Sequence, residues 1–312
     1  MTIFLNSRKE IMKGFLKFIL IFAVILLASA FLAPLFYDFF RTFHPFKFER
    51  IFQRIVMVLS LAAVALFVRV KKETLMGYGL AWRPQSPGLL GKGFVAGVLV
   101  LGVVGVLRIL SGQVIFDPRA FSWGEWIAKF SLALLTGLLI GFLEEFFFRG
   151  FIFRSLLRLL RNRVFLSVVI TTSFYAIIHF IGLKKIFVGP DPSFIDGLRL
   201  IGAPFLSLAE WPKFWPQAVG LFLFGLALMG AAYRSGSLYP AIGLHAGCVF
   251  YIKLDDFFVQ FHTAPSFFWG SKILYDGVLG WIFLSAMAIG LWIFLKPART
   301  DTPDSPSGGK AV

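Results

Sequence analysis

The stretch WIAKFSLALLTGLLIGFLEEFFFR, residues 126–149, decides the fold class. From Trp126 to Leu143 it carries a single charge, Lys129, and it then delivers Glu144, Glu145 and Arg149. An ionisable side chain at the centre of a bilayer costs at least about 2.5 kcal/mol, so such groups usually serve a function. The stretch therefore predicts a membrane helix that ends in a functional acidic pair.

The composition agrees with a membrane protein. The chain has 312 residues, of which 58% are hydrophobic and 15% are charged. Its mean hydropathy is +0.82. Soluble domains carry about a quarter charged residues, and barrel strands alternate apolar with polar residues, whereas these apolar runs are continuous. We expect an all-α, polytopic bundle of transmembrane helices around a polar intramembrane cavity.

Eight apolar runs are long enough to predict transmembrane helices. They are Phe15–Phe36, Ile51–Val70, Leu89–Leu107, Trp126–Phe148, Val164–Ile181, Pro216–Tyr233, Leu238–Leu254 and Ile273–Leu295. Four regions follow from them: N-terminal helices (1–122), a core with the acidic pair (123–255), an outer loop with the last helix (256–296), and a disordered cytoplasmic tail (297–312).

The basic residues indicate orientation rather than nucleic acid. The net charge is +15, but Lys and Arg lie mostly between apolar runs, where they contact anionic lipid and set topology. Their modest excess on one side places both termini in the cytoplasm, and we expect a bacterial inner membrane. Basic residues before an apolar core and Ala28-Ser29-Ala30 also fit a cleaved signal peptide. We favour a retained helix, because the apolar run continues to Phe36.

Arginines follow the acidic pair in the stretch Gly150–Asn162, with Arg154, Arg158 and Arg161 spaced by four and three. This spacing predicts a basic face on an amphipathic helix. The helix either lies at the cytoplasmic interface or continues the fourth span. Only the second alternative brings Glu144 deep enough to meet residues near the end of the fifth span.

The acidic pair divides into two roles. Glu145 and Arg149 are four residues apart on a helix and can form an ion pair. Glu144 is rotated by about 100° and is left freer, as a general base requires.

Two histidines on other spans could complete a site. His179 ends the fifth run, one turn after Tyr175, and His245 lies within the seventh run between small residues. A polar side chain at that depth needs a partner. The single cysteine, Cys248, excludes an internal disulfide and a multi-cysteine metal site.

Glu144, His179 and His245 can activate water in two ways. The carboxylate can take a proton from water while the imidazoles stabilise an oxyanion. Alternatively, the three side chains can bind a divalent metal such as zinc. No cofactor is certain, and the residues leave both mechanisms open.

The motifs resemble those of the CAAX prenyl protease and bacteriocin-processing family, intramembrane endopeptidases related to the type 2 CAAX prenyl protease. They are Glu144-Glu145-x-x-x-Arg149, Tyr175-x-x-x-His179 and His245 in SLYPAIGLHAG. The resemblance covers residues 123–254. It implies hydrolysis of a membrane-associated protein or peptide, with Glu144 activating water.

The resemblance also implies the remaining roles. His179 and His245 bind water, stabilise the oxyanion or ligate a metal, while Glu145, Arg149 and Tyr175 support the site.

Two positions depart from the family pattern. Tyr175 stands where Phe is usual, and Val249 stands where the family often has Asn. The loss of that amide leaves room for a non-catalytic scaffold or immunity-type protein with a degenerate site. A transporter using the acids and histidines as a proton relay is a weaker alternative, because such folds often show internal repeats and this sequence shows none.

Overall fold

The structure is a computed structural model that describes residues 2–43, 46–70, 72, 74–179, 188–208, 211–264 and 266–295. The predicted disordered tail, residues 297–312, lies outside these residues. The helices are α1 (Thr2–Arg41), α2 (Phe48–Val70), α3 (Ser86–Leu110), α4 (Trp123–Glu145), α5 (Phe153–Leu159), α6 (Val164–Ile178), α7 (Phe194–Leu208), α8 (Trp211–Ser235), α9 (Tyr239–Phe258) and α10 (Val278–Phe294). A π-helical segment, Phe146–Ile152, joins α4 to α5.

The chain is a predominantly helical membrane protein, with five helices in the described ranges long and apolar enough to cross a membrane. They are Ile19–Arg41, Phe48–Val70, Ser86–Leu110, Trp123–Leu159 and Trp211–Ser235, and Val164–Ile178 and Val278–Phe294 are shorter apolar helices. The predicted seventh span corresponds to α9, whose last turns carry Lys253, Asp255 and Asp256. The number of eight spans therefore stays a prediction.

The fourth helix is longer than predicted. It does not end at Phe148 but continues through the π-helical segment and α5, so that Trp123–Leu159 forms one apolar helix of 37 residues. The stretch after Gly150 continues this span up to Leu159, which was the second alternative. Glu144 consequently lies near the middle of a long helix rather than at its end.

Helix α9 lies against α3 with almost no side-chain volume between the backbones. A Cβ at Gly93 or Gly97 of α3 would collide with backbone carbonyls of α9, and a Cβ at Gly243 or Gly247 would collide with carbonyls of α3. Small residues on both helices thus permit this approach. The close packing fixes the depth and rotation of α9, which carries His245.

Helix α4 approaches α9 from another side in the same manner. A Cβ at Gly137 would clash with the carbonyl of Ala246, and one at Gly141 would meet the carbonyl of Ile242. Glu144 and Glu145 follow Gly141 by about one turn. The acidic pair is therefore brought directly beside His245.

Replacing Gly93 by alanine should destabilise the fold. The added methyl group has no room against Pro240, and overpacking of this kind costs about 1–3 kcal/mol. Thermal unfolding in detergent should show a lower midpoint for Gly93→Ala. Gly91→Ala is the matched control, because a Cβ there meets nothing within 4 Å. Equal midpoints for both variants would contradict the close packing of α3 and α9.

A short two-stranded ribbon departs from the all-α prediction. β1 (Val114–Phe116) follows α3 and β2 (Val259–Phe261) follows α9, and the two strands pair antiparallel. The ribbon joins the corresponding ends of the α3–α9 pair, next to the loop that leads into α10.

Candidate active site in the helix bundle

The candidate site is a cavity of about 180 Å³ inside the bundle. Side chains from six helices and one loop line it: Leu101, Ile140, Glu144, Tyr175, His179, Leu221, Phe224, His245, Cys248, Val249, Ile252, Tyr275 and Leu284. A water molecule occupies about 30 Å³ in the liquid, so the cavity has room for a few waters or for one or two side chains. Glu144, His179 and His245, which the sequence singled out on three separate helices, all border it.

Glu145 is fully buried next to the cavity and binds two other side chains. Its Oε1 accepts a hydrogen bond from Arg149 Nη1 at 3.0 Å and lies 2.8 Å from His245 Nδ1. Both side chains of the Glu145–Arg149 ion pair are 0% exposed. The ion pair expected from the spacing of four is therefore present. It links α4 to the π-helical segment and to α9.

Arg149 connects the Glu145–Arg149 ion pair to two further helices, α8 and α6. Its Nη2 donates a hydrogen bond to the Gly225 carbonyl of α8 at 3.3 Å. Its guanidinium carbon lies 4.3 Å from the centre of the Tyr175 ring of α6, a cation–π contact. The π-helical segment follows Glu145 immediately and carries Arg149. Such segments are frequent at functional sites.

The tautomer of His245 follows from its contact with Glu145. A buried carboxylate next to Arg149 is ionised and only accepts hydrogen bonds, so His245 Nδ1 carries the proton. The other ring nitrogen, Nε2, lies 3.9 Å from Glu144 Oε2 at the cavity. In the neutral ring, Nε2 therefore presents a lone pair.

His179 is held in the same tautomer by a different partner. Its Nδ1 lies 2.7 Å from the backbone carbonyl oxygen of Tyr175, which can only accept. His179 Nε2 lies 3.5 Å from Glu144 Oε2. The Tyr175 ring packs on the imidazole with ring centres 4.4 Å apart and limits its rotation.

Glu144 is the carboxylate that both imidazoles face. Its side chain is 30% exposed, and its Oε2 has no hydrogen-bond partner within the described part of the chain. Oε2 and the two Nε2 atoms are all acceptors when the histidines are neutral. Three converging acceptors need a proton or a hydrogen-bond donor such as water between them, so the arrangement suits the binding of a water molecule.

The metal alternative for Glu144, His179 and His245 stays a prediction. Ligands of a tetrahedral zinc ion at about 2.0–2.2 Å lie about 3.4 Å from one another. Glu144 Oε2 lies 3.5 Å from His179 Nε2 and 3.9 Å from His245 Nε2. Within the ranges that the structure describes, no group of three or more His, Cys, Asp or Glu side chains is already arranged as a metal site.

Val249, Cys248 and Tyr275 also border the cavity. Val249 borders it one turn after His245, so an aliphatic side chain forms this part of the wall. Cys248 borders it, but its Sγ lies 3.6 Å from the Gly97 carbonyl oxygen. Tyr275 was not predicted from the sequence. It precedes α10 in the chain, and no motif signals its position.

One family model matches the part of the chain that carries the site. Residues 126–251 match the family model described as type II CAAX prenyl endopeptidase Rce1-like. The match contains the acidic pair and both histidines, ends before Tyr275, and confirms the resemblance seen in the motifs. No curated protein and no solved structure matches the chain.

Proposed function

We propose that the chain is an intramembrane endopeptidase, since residues 126–251 match the family model described as type II CAAX prenyl endopeptidase Rce1-like. It hydrolyses a peptide bond of a membrane-associated protein or peptide. The convergence of Glu144, His179 and His245 on one cavity carries this proposal. We further propose that the protein contacts membrane lipid. Both termini lie in the cytoplasm, and the membrane is a bacterial inner membrane.

Glu144 acts as the general base. It takes a proton from water as the water oxygen bonds to the carbonyl carbon, and the carbonyl π electrons move to the oxygen. When the oxyanion collapses, the C–N bond breaks and the proton on Glu144 passes to the leaving nitrogen. The reaction consumes one water and regenerates the carboxylate. General base catalysis of this kind contributes about 10²–10⁴ in rate.

His179 and His245 hold the water. Each presents Nε2 to the cavity, because Nδ1 is bound to Tyr175 O or to Glu145. A water that donates to one Nε2 and to Glu144 Oε2 is oriented with a lone pair free for attack. Glu145, Arg149 and Tyr175 act as positioning residues, since Glu145 binds His245, Arg149 binds Glu145, and the Tyr175 ring packs on His179.

The lining of the cavity indicates the substrate. Apart from the polar site residues, it is aliphatic and aromatic, from Leu101, Ile140, Leu221, Phe224 and Ile252. Apolar side chains of a peptide suit such walls. A peptide that ends in a farnesylated Cys-aliphatic-aliphatic-X sequence is the first probe, given the family description, and the same peptide without the lipid is the second.

The test is hydrolysis by the purified protein in proteoliposomes. We expect an internally quenched fluorescent version of the farnesylated peptide to be cleaved at one bond, with both fragments identified by mass spectrometry. Faster cleavage of the farnesylated peptide indicates a prenylated substrate, and equal cleavage indicates an apolar peptide. Absence of cleavage of either peptide, in protein that retains a cooperative unfolding transition, contradicts the proposal.

Val249 favours a second candidate, a non-catalytic scaffold or immunity-type protein. An aliphatic side chain at this point of the cavity wall cannot donate a hydrogen bond to an oxyanion. The scaffold reading predicts a protein that inserts and folds normally but cleaves neither peptide.

A further inference from the structure

Tyr275 borders the same cavity as Glu144 and His179, although it lies outside the family match. It belongs to the loop between β2 and α10, whose backbone lies against α8 and α10. The inference below rests on the proposed function, because it concerns the same hydrolysis.

The loop that carries Tyr275 is built into the bundle. A Cβ at Gly220 of α8 would collide with the Tyr275 carbonyl oxygen, and a Cβ at Gly280 of α10 would collide with that of Leu274. The backbone of the loop is therefore closely packed against both of these helices. The loop is closed by Asp276, whose Oδ1 accepts a hydrogen bond from Ser271 N at 2.8 Å.

Leu274 shows that this loop conformation is imposed. Its φ is 67°, in the left-handed region that non-glycine residues avoid. Strain of this kind costs on the order of 1 kcal/mol or more and persists only where the surroundings enforce it. Leu274 is 1% exposed, so its packing in the core enforces it. The result is a fixed position for the next residue, Tyr275.

A hydrolytic site needs a donor for the oxyanion, and few side chains of the cavity can be one. The Nδ1–H groups of His179 and His245 are already bound, and their Nε2 atoms accept in the neutral rings. Val249 has no polar group. The thiol of Cys248 is directed at Gly97. Among the lining side chains described, this leaves the hydroxyl groups of two tyrosines.

The two tyrosines differ in their surroundings. Tyr175 is 1% exposed and packs between Arg149, Phe148 and His179 as a positioning residue. Tyr275 is half-buried, on the loop whose backbone lies against α8 and α10. A phenol with an ordinary pKa of about 10 is protonated at neutral pH, so its hydroxyl group can donate a hydrogen bond.

We propose that the Tyr275 hydroxyl donates the hydrogen bond that stabilises the oxyanion during peptide hydrolysis. It donates without transferring its proton, so the proton still passes from water through Glu144 to the leaving nitrogen. Tyr275 is thus a catalytic residue that supplies a donor where Val249 supplies none.

The test is the kinetics of Tyr275→Phe on the farnesylated peptide in proteoliposomes. Removal of one oxyanion donor costs about 10²–10³ in kcat. We expect that fall in kcat with KM changed by less than about twofold, because the bond forms only in the transition state. The thermal midpoint should stay at the wild-type value. Tyr251→Phe is the matched control, since Tyr251 packs against Gly105 of α3 rather than lining the cavity.

The outcomes separate this inference from the proposed function. Wild-type kcat in Tyr275→Phe overturns the donor role, and the function stands if Glu144→Gln is inactive in the same assay. Equal losses of kcat in Tyr275→Phe and Tyr251→Phe, with equal falls in midpoint, also overturn it, because the effect is then structural. A wild-type protein that cleaves nothing contradicts both.

Discussion

Replacing Glu144 by glutamine should abolish peptide hydrolysis while the protein still inserts and folds. The amide has nearly the same size as the carboxylate but is not a base at neutral pH, so the water is no longer activated. Loss of a general base costs about 10²–10⁴ in rate. The measurement is kcat on the farnesylated peptide, with the thermal midpoint of the same preparation.

The fold should tolerate this change for a structural reason. Glu144 Oε2 makes no hydrogen bond within the described residues, whereas Glu145 Oε1 holds Arg149 and His245. Glu125→Gln is the matched control, because it removes a carboxylate that caps the start of α4, far along the helix from the cavity. Cleavage at the wild-type rate by Glu144→Gln would remove Glu144 from its role as base.

Replacing Arg149 by methionine should have the largest effect on stability. The variant leaves Glu145 buried and ionised with only His245 beside it. Removal of one partner of a buried ion pair costs about 3–5 kcal/mol. The free energy of unfolding in mixed detergent, or the thermal midpoint, should fall accordingly, and the fraction that folds on expression should fall with it.

Two further variants test whether the loss of stability comes from breaking the ion pair or from removing an arginine as such. Arg163→Met removes an exposed arginine that follows α5 and should leave the midpoint unchanged. The double variant Glu145→Gln with Arg149→Met removes both charges and should recover part of the stability. A single Arg149→Met variant as stable as Arg163→Met would show that the buried pair does not hold this part of the bundle together.

The different roles of Glu144 and Glu145 could be predicted from the sequence, because they depend only on local helix geometry. A spacing of four on a helix brings Glu145 to Arg149 and turns Glu144 away, wherever the helix lies. The family motifs then indicated which histidines belong with the pair. The distances that unite Glu144 with His179 and His245 depend on how three helices pack, and sequence spacing does not contain them.

The predicted end of the fourth helix, Phe148, was wrong for a physical reason. Charged residues after Phe148 suggested the edge of the membrane, but they find partners inside the protein. Arg149 binds Glu145 and Gly225, and Arg154 Nη1 donates to the Gly77 carbonyl at 2.6 Å. Since each of these guanidinium groups finds an acceptor in the protein, the helix continues and Glu144 reaches the histidines.

Tyr275 could not be predicted from the sequence, because its position depends on how its loop packs against α8 and α10. The apolar run from Ile273 was expected to start the last span, yet α10 begins at Val278. The residues before it form a loop wedged against Gly220 and Gly280. Similarly, the close approach of Gly93 and Gly97 to α9 depends on the glycines that α9 places against α3, and this pairing is also tertiary.

Cleavage of the farnesylated peptide in water enriched in ¹⁸O tests the central claim most directly. If Glu144 activates water in the cavity, the wild-type protein should release an N-terminal fragment with one ¹⁸O in its new carboxylate, and Glu144→Gln should release none. A wild-type protein that produces no labelled fragment, or a Glu144→Gln variant that produces as much as the wild type, would contradict the account.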